Sequence, residues 1–251
     1  MATTTFERFR DLHRRGDPLL LPNAWDYGSA ALLAARGHPA VATTSLGVAA
    51  VHGRPDAAGA TRAETLELAE SMVGLGVLVS VDLEGGFSDD PAEVGELVRA
   101  LGRLGVAGVN LEDGRPDGSL RPIAHQREII AAAVGHGVFV NARTDTHWLG
   151  TGDTMERVAA YEGADGVFVP GLADVGLIAE VARSTALPLN VLFGPPMDKL
   201  AAAGVARVST GSLLYRAALR GALAVLDNTP PPIQISIPTY QEIATMLEQR
   251  R

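Results

Sequence analysis

Val79-Ser80-Val81-Asp82-Leu83-Glu84-Gly85-Gly86 opens as a buried apolar strand and closes on two carboxylates and two glycines. Asp82 and Glu84 stand two apart, so on an extended chain both point to the same side. Two acids converging there repel unless a cation sits between them. A hard divalent ion such as Mg2+ suits the position, because it prefers carboxylate oxygens and keeps several waters. The glycines let the backbone turn sharply and let a ligand approach closely. Taken alone, the stretch reads equally well as a solvated strand end closed by a Gly-Gly turn. The surrounding pattern decides.

Apolar strand-like runs alternate with Ala/Leu/Val-rich helical stretches from about Leu19 onward, the pattern of parallel strands joined by crossover helices. The strands read 19–22, 40–43, 77–83, 108–111, 138–142, 166–169, 187–192 and 207–209, each followed by a helical stretch. Eight such units without a break in composition predict one closed (β/α)8 TIM barrel over residues 1–228 rather than an open doubly wound sheet. Residues 5–15 read as a helix capping the barrel, with Phe6 and Phe9 turned toward it. Past Asp227 the run Thr229-Pro230-Pro231-Pro232 cannot continue a helix, and 238–251 reads as a short amphipathic one. Residues 229–251 are therefore expected to form a Pro-rich linker and a C-terminal helical arm. That arm either docks on a neighbouring subunit or folds back on its own barrel.

Composition narrows the function. A chain of 251 residues that is 47% hydrophobic buries a sizeable core, and a formal net charge of -8 argues against a nucleic-acid or acidic-membrane partner. With no cysteine, disulfides, thiolate metal sites and a cysteine nucleophile are excluded. The sole lysine, Lys199, lies in a surface-type helical run, which argues against Schiff-base chemistry. No apolar run approaches a membrane span and the first fifteen residues are polar and charged, so a soluble cytoplasmic protein is expected.

In such a barrel the C-terminal strand ends share one mouth. Those ends carry Asn23-Ala24-Trp25-Asp26, Thr43-Thr44-Ser45-Leu46-Gly47, Asp82 with Glu84, Asn110-Leu111-Glu112-Asp113, Asn141-Ala142-Arg143-Thr144-Asp145 and Leu189-Asn190-Val191. Three acids beside one arginine, walled by apolar strands, make a metal-plus-carboxylate arrangement. A cation would sit among Asp82, Glu84 and Glu112, while Arg143 offers a planar fork to a substrate carboxylate.

The ordered set Thr44-Ser45-Leu46-Gly47-Val48-Ala49, Gly53-Arg54-Pro55-Asp56, Asp82-Leu83-Glu84-Gly85-Gly86, Asn110-Leu111-Glu112-Asp113 and Asn141-Ala142-Arg143-Thr144-Asp145 resembles the isocitrate lyase/phosphoenolpyruvate mutase superfamily. The likeness runs from Pro22 to about Leu226, and several motifs in order make it specific where one alone is weak. It implies an Mg2+-dependent enzyme, with Mn2+ as the alternative ion, that binds small 2-oxo-carboxylates and stabilises a pyruvate-type enolate. It further implies a metal site at Asp82, Glu84 and Glu112, with much of the contact through water, and Arg143 as the carboxylate-binding arginine. By the same likeness the backbone of Thr44, Ser45, Leu46 and Gly47 cradles the substrate oxygens, and Asp56 closes that side. Barrels of this family are commonly tetramers that exchange their last helix, which implies a homo-oligomer, tetramer or dimer, built through the arm. The chain departs from the family after strand four. There Gly114-Arg115-Pro116-Asp117-Gly118-Ser119-Leu120-Arg121-Pro122 replaces both the cysteine-bearing loop of the isocitrate-type lyases and the Lys/Asn gating loop of the mutases. Glu84 also stands where most relatives have Asp.

These departures leave the proton donor open among His147, just beyond Arg143 and Asp145, and His52, His125 and Tyr215. Each of the four reads as well as an exposed or packing residue. Asn23 and Asn190 offer hydrogen bonds to a substrate oxygen or to barrel-end backbone, and Trp25 reads as a pocket wall. Asp113 and Asp145 are expected to orient Arg143 and the metal waters. The leading expectation is a metal-dependent carbon–carbon lyase or decarboxylase acting on a small 2-oxo or 2-hydroxy dicarboxylate, oxaloacetate being the simplest. The alternatives are a C–P bond mutase or hydrolase of the phosphonopyruvate type, and a non-catalytic barrel holding a phosphorylated ligand at the Ser209-Thr210-Gly211-Ser212 turn.

Overall fold

The first helix, α1 (Thr5–Arg10), is fixed by a capping box. The Thr4 hydroxyl accepts the Glu7 N–H, and the Glu7 carboxylate accepts the Thr4 N–H at 2.8 Å. This places Phe9, fully buried, edge-on to Phe139 with ring centroids 5.7 Å apart. The pair closes the bottom of a barrel.

The computed structural model describes residues 3–227 and Thr239. After α1 come β1 (Leu19–Leu21), β2 (Asn23–Ala24), α2 (Tyr27–Ala35), β3 (Ala40–Thr43), α3 (Ser45–Val51), α4 (Arg62–Val73), β4 (Leu78–Asp82), α5 (Pro91–Leu104) and β5 (Gly108–Glu112). The second half holds α6 (Ile123–Ala133), β6 (Phe139–Arg143), α7 (Thr146–Leu149), α8 (Thr154–Ala160), β7 (Gly166–Phe168), α9 (Val175–Ser184), β8 (Leu189–Leu192), α10 (Met197–Ala202), β9 (Arg207–Ser209) and α11 (Leu213–Leu226). All strand pairs are parallel, in the order β1-β9-β8-β7-β6-β5-β4-β3-β2. β1 and β2 are one strand that Pro22 divides. Proline has no N–H for the ladder, but its carbonyl still accepts the Ala42 N–H at 2.9 Å. β1 pairs with β9 and β2 with β3, so the ring closes through Pro22 and the eight expected strands account for all nine segments.

Along β4, β5, β6, β8 and β9 the side chains alternate by character. Val79, Val81, Val109, Leu111, Val140, Val191 and Val208 are fully buried and face the helices. Ser80, Asp82, Asn110, Glu112, Asn141, Arg143, Asn190, Arg207 and Ser209 take the other parity and point into the bore. Strand parity thus aims every other residue at the mouth or the layer beneath it.

The helices follow local rules. Asp90 caps α5 by accepting the Ala92 N–H, Pro91 pre-sets its first turn, and Gly105 ends it at φ 103°. Its stripe Val94, Leu97, Val98 and Leu101 packs on the sheet, worth about 1.5–3 kcal/mol per side chain. Two short helices were not legible in sequence: α3 and α7, of seven and four residues. Neither is long enough to display a 3.6-residue period. Helix α1 ends at Arg10, short of the expected 15. Lys199 is exposed on α10, away from the mouth. None of the described helices is long and apolar enough to cross a membrane. The expected linker and arm at 229–251 lie, apart from Thr239, outside the described residues.

Candidate active site

The strand expected over 77–83 ends at Asp82, so the extended chain does not carry on to Glu84. The Gly86 N–H bonds to the Leu83 carbonyl at 2.8 Å, closing a turn, and Glu84 sits at φ 51°, a left-handed conformation that residues with a Cβ seldom adopt. The two carboxylates therefore do not share a face, which corrects the extended-chain geometry expected for them. Asp82 points into the mouth. Glu84 turns aside, where its carboxylate accepts the Gly59 N–H at 2.7 Å and the Thr61 hydroxyl at 3.1 Å. Its backbone carbonyl accepts the Glu112 N–H at 2.9 Å, so the turn is tied to β5.

The charges of the mouth centre on Arg143. Its Nη1 lies 2.8 Å from Glu112 Oε2, its Nε donates to Asp145 Oδ1 at 2.7 Å, and its guanidinium carbon is 5.7 Å from the Phe168 ring centre. Burial alone would lower the guanidinium pKa, but Glu112, Asp145 and Asp82 together raise it, so the cation is permanent. Burial pushes the Asp82 carboxyl up, Arg143 opposes the rise, and Asp56 adds to it. The same balance acts on Glu112, which burial raises well above the usual carboxylate range against the pull of Arg143. A buried Asp113 supports this group from behind. Its Oδ1 accepts the Asp145 N–H at 2.8 Å, while Oδ2 accepts the Tyr161 hydroxyl at 2.7 Å and Arg157 Nη1 at 2.9 Å. Asp113 thus fixes the backbone from which Asp145 holds Arg143.

A cavity of about 150 Å3 opens over these groups. It is well below the roughly 300–1,000 Å3 of drug-sized sites, so it suits a molecule of a few carbons. Of the residues singled out in sequence, Asn23, Thr44, Ser45, Leu46, Asp56, Asp82, Glu112 and Arg143 line it. Gly47 lies just behind, where any Cβ would stand 2.6 Å from Trp25 Cβ. Trp25 packs there against Tyr215, ring centroids 5.4 Å apart, and forms no part of the lining. Asn190 is buried one layer down, and its Oδ1 accepts the Ser209 hydroxyl at 3.2 Å. His147 is not among the lining residues, although its neighbours Trp148 and Leu149 are. His52 and His125 lie outside it too. Among the described residues the lining holds no His, Lys or Tyr. Asn110 and Asp145, named at their strand ends, and Ser209 and Ser212, named only as a phosphate-binding turn, also line the cavity, as does Phe168, to which sequence reading gave no role. The signal for Asn110 was its spacing, two before Glu112 on one strand face. Ser212, at the start of α11, makes no side-chain capping bond and accepts from Arg216 Nε at 3.2 Å.

The donor set fits a hard divalent ion. Asp82 Oδ1 is buried without a hydrogen-bond partner, and the Asp82 and Glu112 carboxylates line one small cavity. Among the described residues no three Asp, Glu or His side chains converge tightly enough to hold an ion unaided. Two carboxylates completed by water are what Mg2+ commonly accepts. Glu84, with both oxygens engaged, would add charge rather than a direct bond.

The phosphoenolpyruvate phosphomutase family model matches residues 9–229. The chain belongs to that family. Uncharacterized protein Rv1998c of Mycobacterium tuberculosis (strain ATCC 25618 / H37Rv) is 42% identical over 252 residues, with 95% of each chain covered. The oxaloacetate decarboxylase of Pseudomonas fluorescens (strain SBW25) is 30% identical over 212 residues, covering 77% of this chain and 72% of its own. A candidate lyase/mutase of Burkholderia cenocepacia J2315 superposes with a TM-score of 0.84 at 37% identity, over 96% of this chain and 94% of that one. The fold recurs at 20% identity in a phosphonopyruvate hydrolase crystallised with oxalate and Mg2+, with a TM-score of 0.81 over 98% of this chain and 95% of that one. At that distance the likeness concerns the fold alone. The family named for a phosphomutase and the oxaloacetate decarboxylases among the relatives are enzymes.

Proposed function

We propose that this protein is a metal-dependent carbon–carbon lyase or decarboxylase acting on a small 2-oxo or 2-hydroxy dicarboxylate, with oxaloacetate as the simplest substrate. The observation that carries the reading is the convergence of Asp82, with its unpartnered buried oxygen, Glu112 and Arg143 in one small cavity. Asp82 and Glu112 would hold Mg2+, which when bound supplies a Lewis acid for charge developing on the 2-oxo oxygen. Arg143 orients the substrate carboxylate. Glu112 and Asp145 take its Nη1 and Nε, leaving Nη2 for the ligand. The first turn of α3 gives backbone N–H groups without intrahelical acceptors, and Thr44 adds no side-chain cap to occupy them. Those of Leu46 and Gly47 face a substrate oxygen in this reading. Leu149, Phe168 and Pro170 add apolar surface to the cavity, and apolar surroundings strengthen each of these contacts.

Loss of the carboxylate that lies β to the 2-oxo group of a substrate such as oxaloacetate passes the bonding pair to the ketone, leaving CO2 and an enolate that solvent can protonate. Among the described residues the lining has no His, Lys or Tyr, and the chain has no Cys, which matches decarboxylation better than expulsion of a group needing a general acid. A second reading, C–P bond chemistry, draws on the family's phosphomutase members. It would want free cations for a phosphoryl group, yet Arg115 and Arg121 both pair with Asp89, at 2.9 Å each.

The test is release of pyruvate or CO2 from oxaloacetate with Mg2+, against an EDTA-treated control and the Asp82→Ala protein. Release above both controls is expected. No such release, beside Mg2+-dependent oxalate binding, would transfer the assignment to C–P substrates.

A further inference from the structure

Arg207 is the largest fully buried side chain of the described residues. It leaves β9 at an inward position and reaches across the bore to β5, where Nη2 donates to Asn110 Oδ1 at 3.2 Å. Its Nε donates to Ser209 Oγ at 3.0 Å, and its Nη1 has no partner. No carboxylate among the described residues comes within ion-pair distance of it. Such an arginine is expensive, because a buried charge without a paired counter-charge loses its hydration with little in return. Barrel layers of this kind are ordinarily filled by Val, Ile and Leu.

The fold does not require it. Without the guanidinium, Asn110 Oδ1 would keep the Asn141 Nδ2 donor at 2.9 Å, and Ser209 Oγ would keep Asn190 Oδ1 at 3.2 Å. The position explains the cost better. Asn110 and Ser209 both line the cavity, so the two groups that Arg207 holds form the floor on which a ligand rests. Burial pushes the guanidinium down to about 9, with Asp82 the carboxylate that acts against this, so the group stays charged at neutral pH. Below it, His13 is stacked on Phe139 at 4.4 Å and has its Nδ1 against the Phe9 carbonyl at 2.9 Å. Burial and the Arg207 charge hold that imidazole neutral, so it supplies no counter-charge.

We propose that Arg207 is a positioning residue, a fixed cation under the mouth that holds Asn110 and Ser209 in place for an anionic, enolate-forming substrate and is retained at a cost in stability. This rests on the proposed function for the ligand class, but not for the stability cost. It implies two cations for the site: Arg143 at the wall, contacting the substrate, and Arg207 beneath, acting through its neighbours and through its field.

The test compares Arg207→Met and Arg207→Lys with the wild type by thermal melting and by calorimetric titration of oxalate in the presence of Mg2+. The Met protein is expected to melt at or above the wild-type temperature yet bind oxalate weaker by at least about tenfold. The Lys protein, whose ammonium loses its proton on burial more readily than the guanidinium, should bind nearly as weakly as the Met protein at pH 8 and recover affinity relative to wild type as the pH is lowered to 6. A residue with a purely structural role predicts the reverse: a lower melting temperature and unchanged affinity for whatever folds. A Met protein that melts well below wild type overturns the proposal by itself, with no ligand needed. Equal oxalate affinity in wild type and Met protein overturns it as well. Absence of binding by the wild type would instead count against the proposed function, leaving the melting comparison to decide the role of Arg207.

Discussion

Asp82 holds one carboxylate oxygen in a buried place with nothing to bond, a state that costs free energy until a ligand uses it. Asp82→Ala is therefore expected to cut metal-dependent turnover on the order of 10³-fold while leaving the melting temperature unchanged or raised. Full activity in that protein would remove the assignment of Asp82 to the metal. Arg143 differs in kind, because its nitrogens serve different partners in a fixed plane. An ammonium is a single point charge, so Arg143→Lys should raise KM by roughly 10–100-fold with a smaller effect on kcat. An unchanged KM would deny it the substrate carboxylate. Both residues could be chosen from sequence, since each ends an apolar strand. The fate of Glu84 could not. The two-residue period holds only while the chain stays extended, and the Gly-Gly turn begins one residue after Asp82.

At the scale of elements, α5 and α6 approach unusually closely around Gly95. A Cβ there would lie 2.6 Å from the Ala132 carbonyl oxygen, a backbone atom that cannot swing away. Gly95→Ala would gain about 1 kcal/mol of helix propensity, against about 1–3 kcal/mol for forcing the helices apart. The clash should win, lowering the melting temperature by about 2–6 °C without altering oxalate affinity, since the contact is far from the mouth. A rise in melting temperature would mean that the two helices separate freely. The helix itself was legible: Asp90, Pro91 and Gly105 punctuate an apolar stripe. Its partner's distance was not, because small residues permit a close approach without requiring one.

For the whole molecule, the bottom of the barrel carries a pH dependence. His13 has its pKa lowered to about 3, first by burial and then by Arg207. A histidine with a depressed folded-state pKa adds stability that is complete above about 6.5 and is lost as the pH falls toward 3. Between pH 7.5 and 5 that loss amounts to about 1–2 kcal/mol. Urea unfolding midpoints should fall over this interval, and they should fall less in His13→Phe, which keeps a ring against Phe139 but cannot titrate. Parallel pH profiles for the two proteins would place the sensitivity elsewhere.

The sequence by itself determined the barrel and the gathering of Asp82, Glu112 and Arg143 at one mouth. These follow from short-range rules: the alternation of strand and helix, the two-residue parity of a strand, and the rule that strand ends share one mouth. Only the tertiary structure decided which polar atoms remain unsatisfied and which pair across the bore. Arg207 lies 97 residues from Asn110 in sequence and meets it only because the ring closes. Glu84 turns from the mouth because Gly59 and Thr61 arrive beside it. Contacts of that range depend on how far each strand is staggered and where each loop lands, and a local pattern of residues carries no record of either.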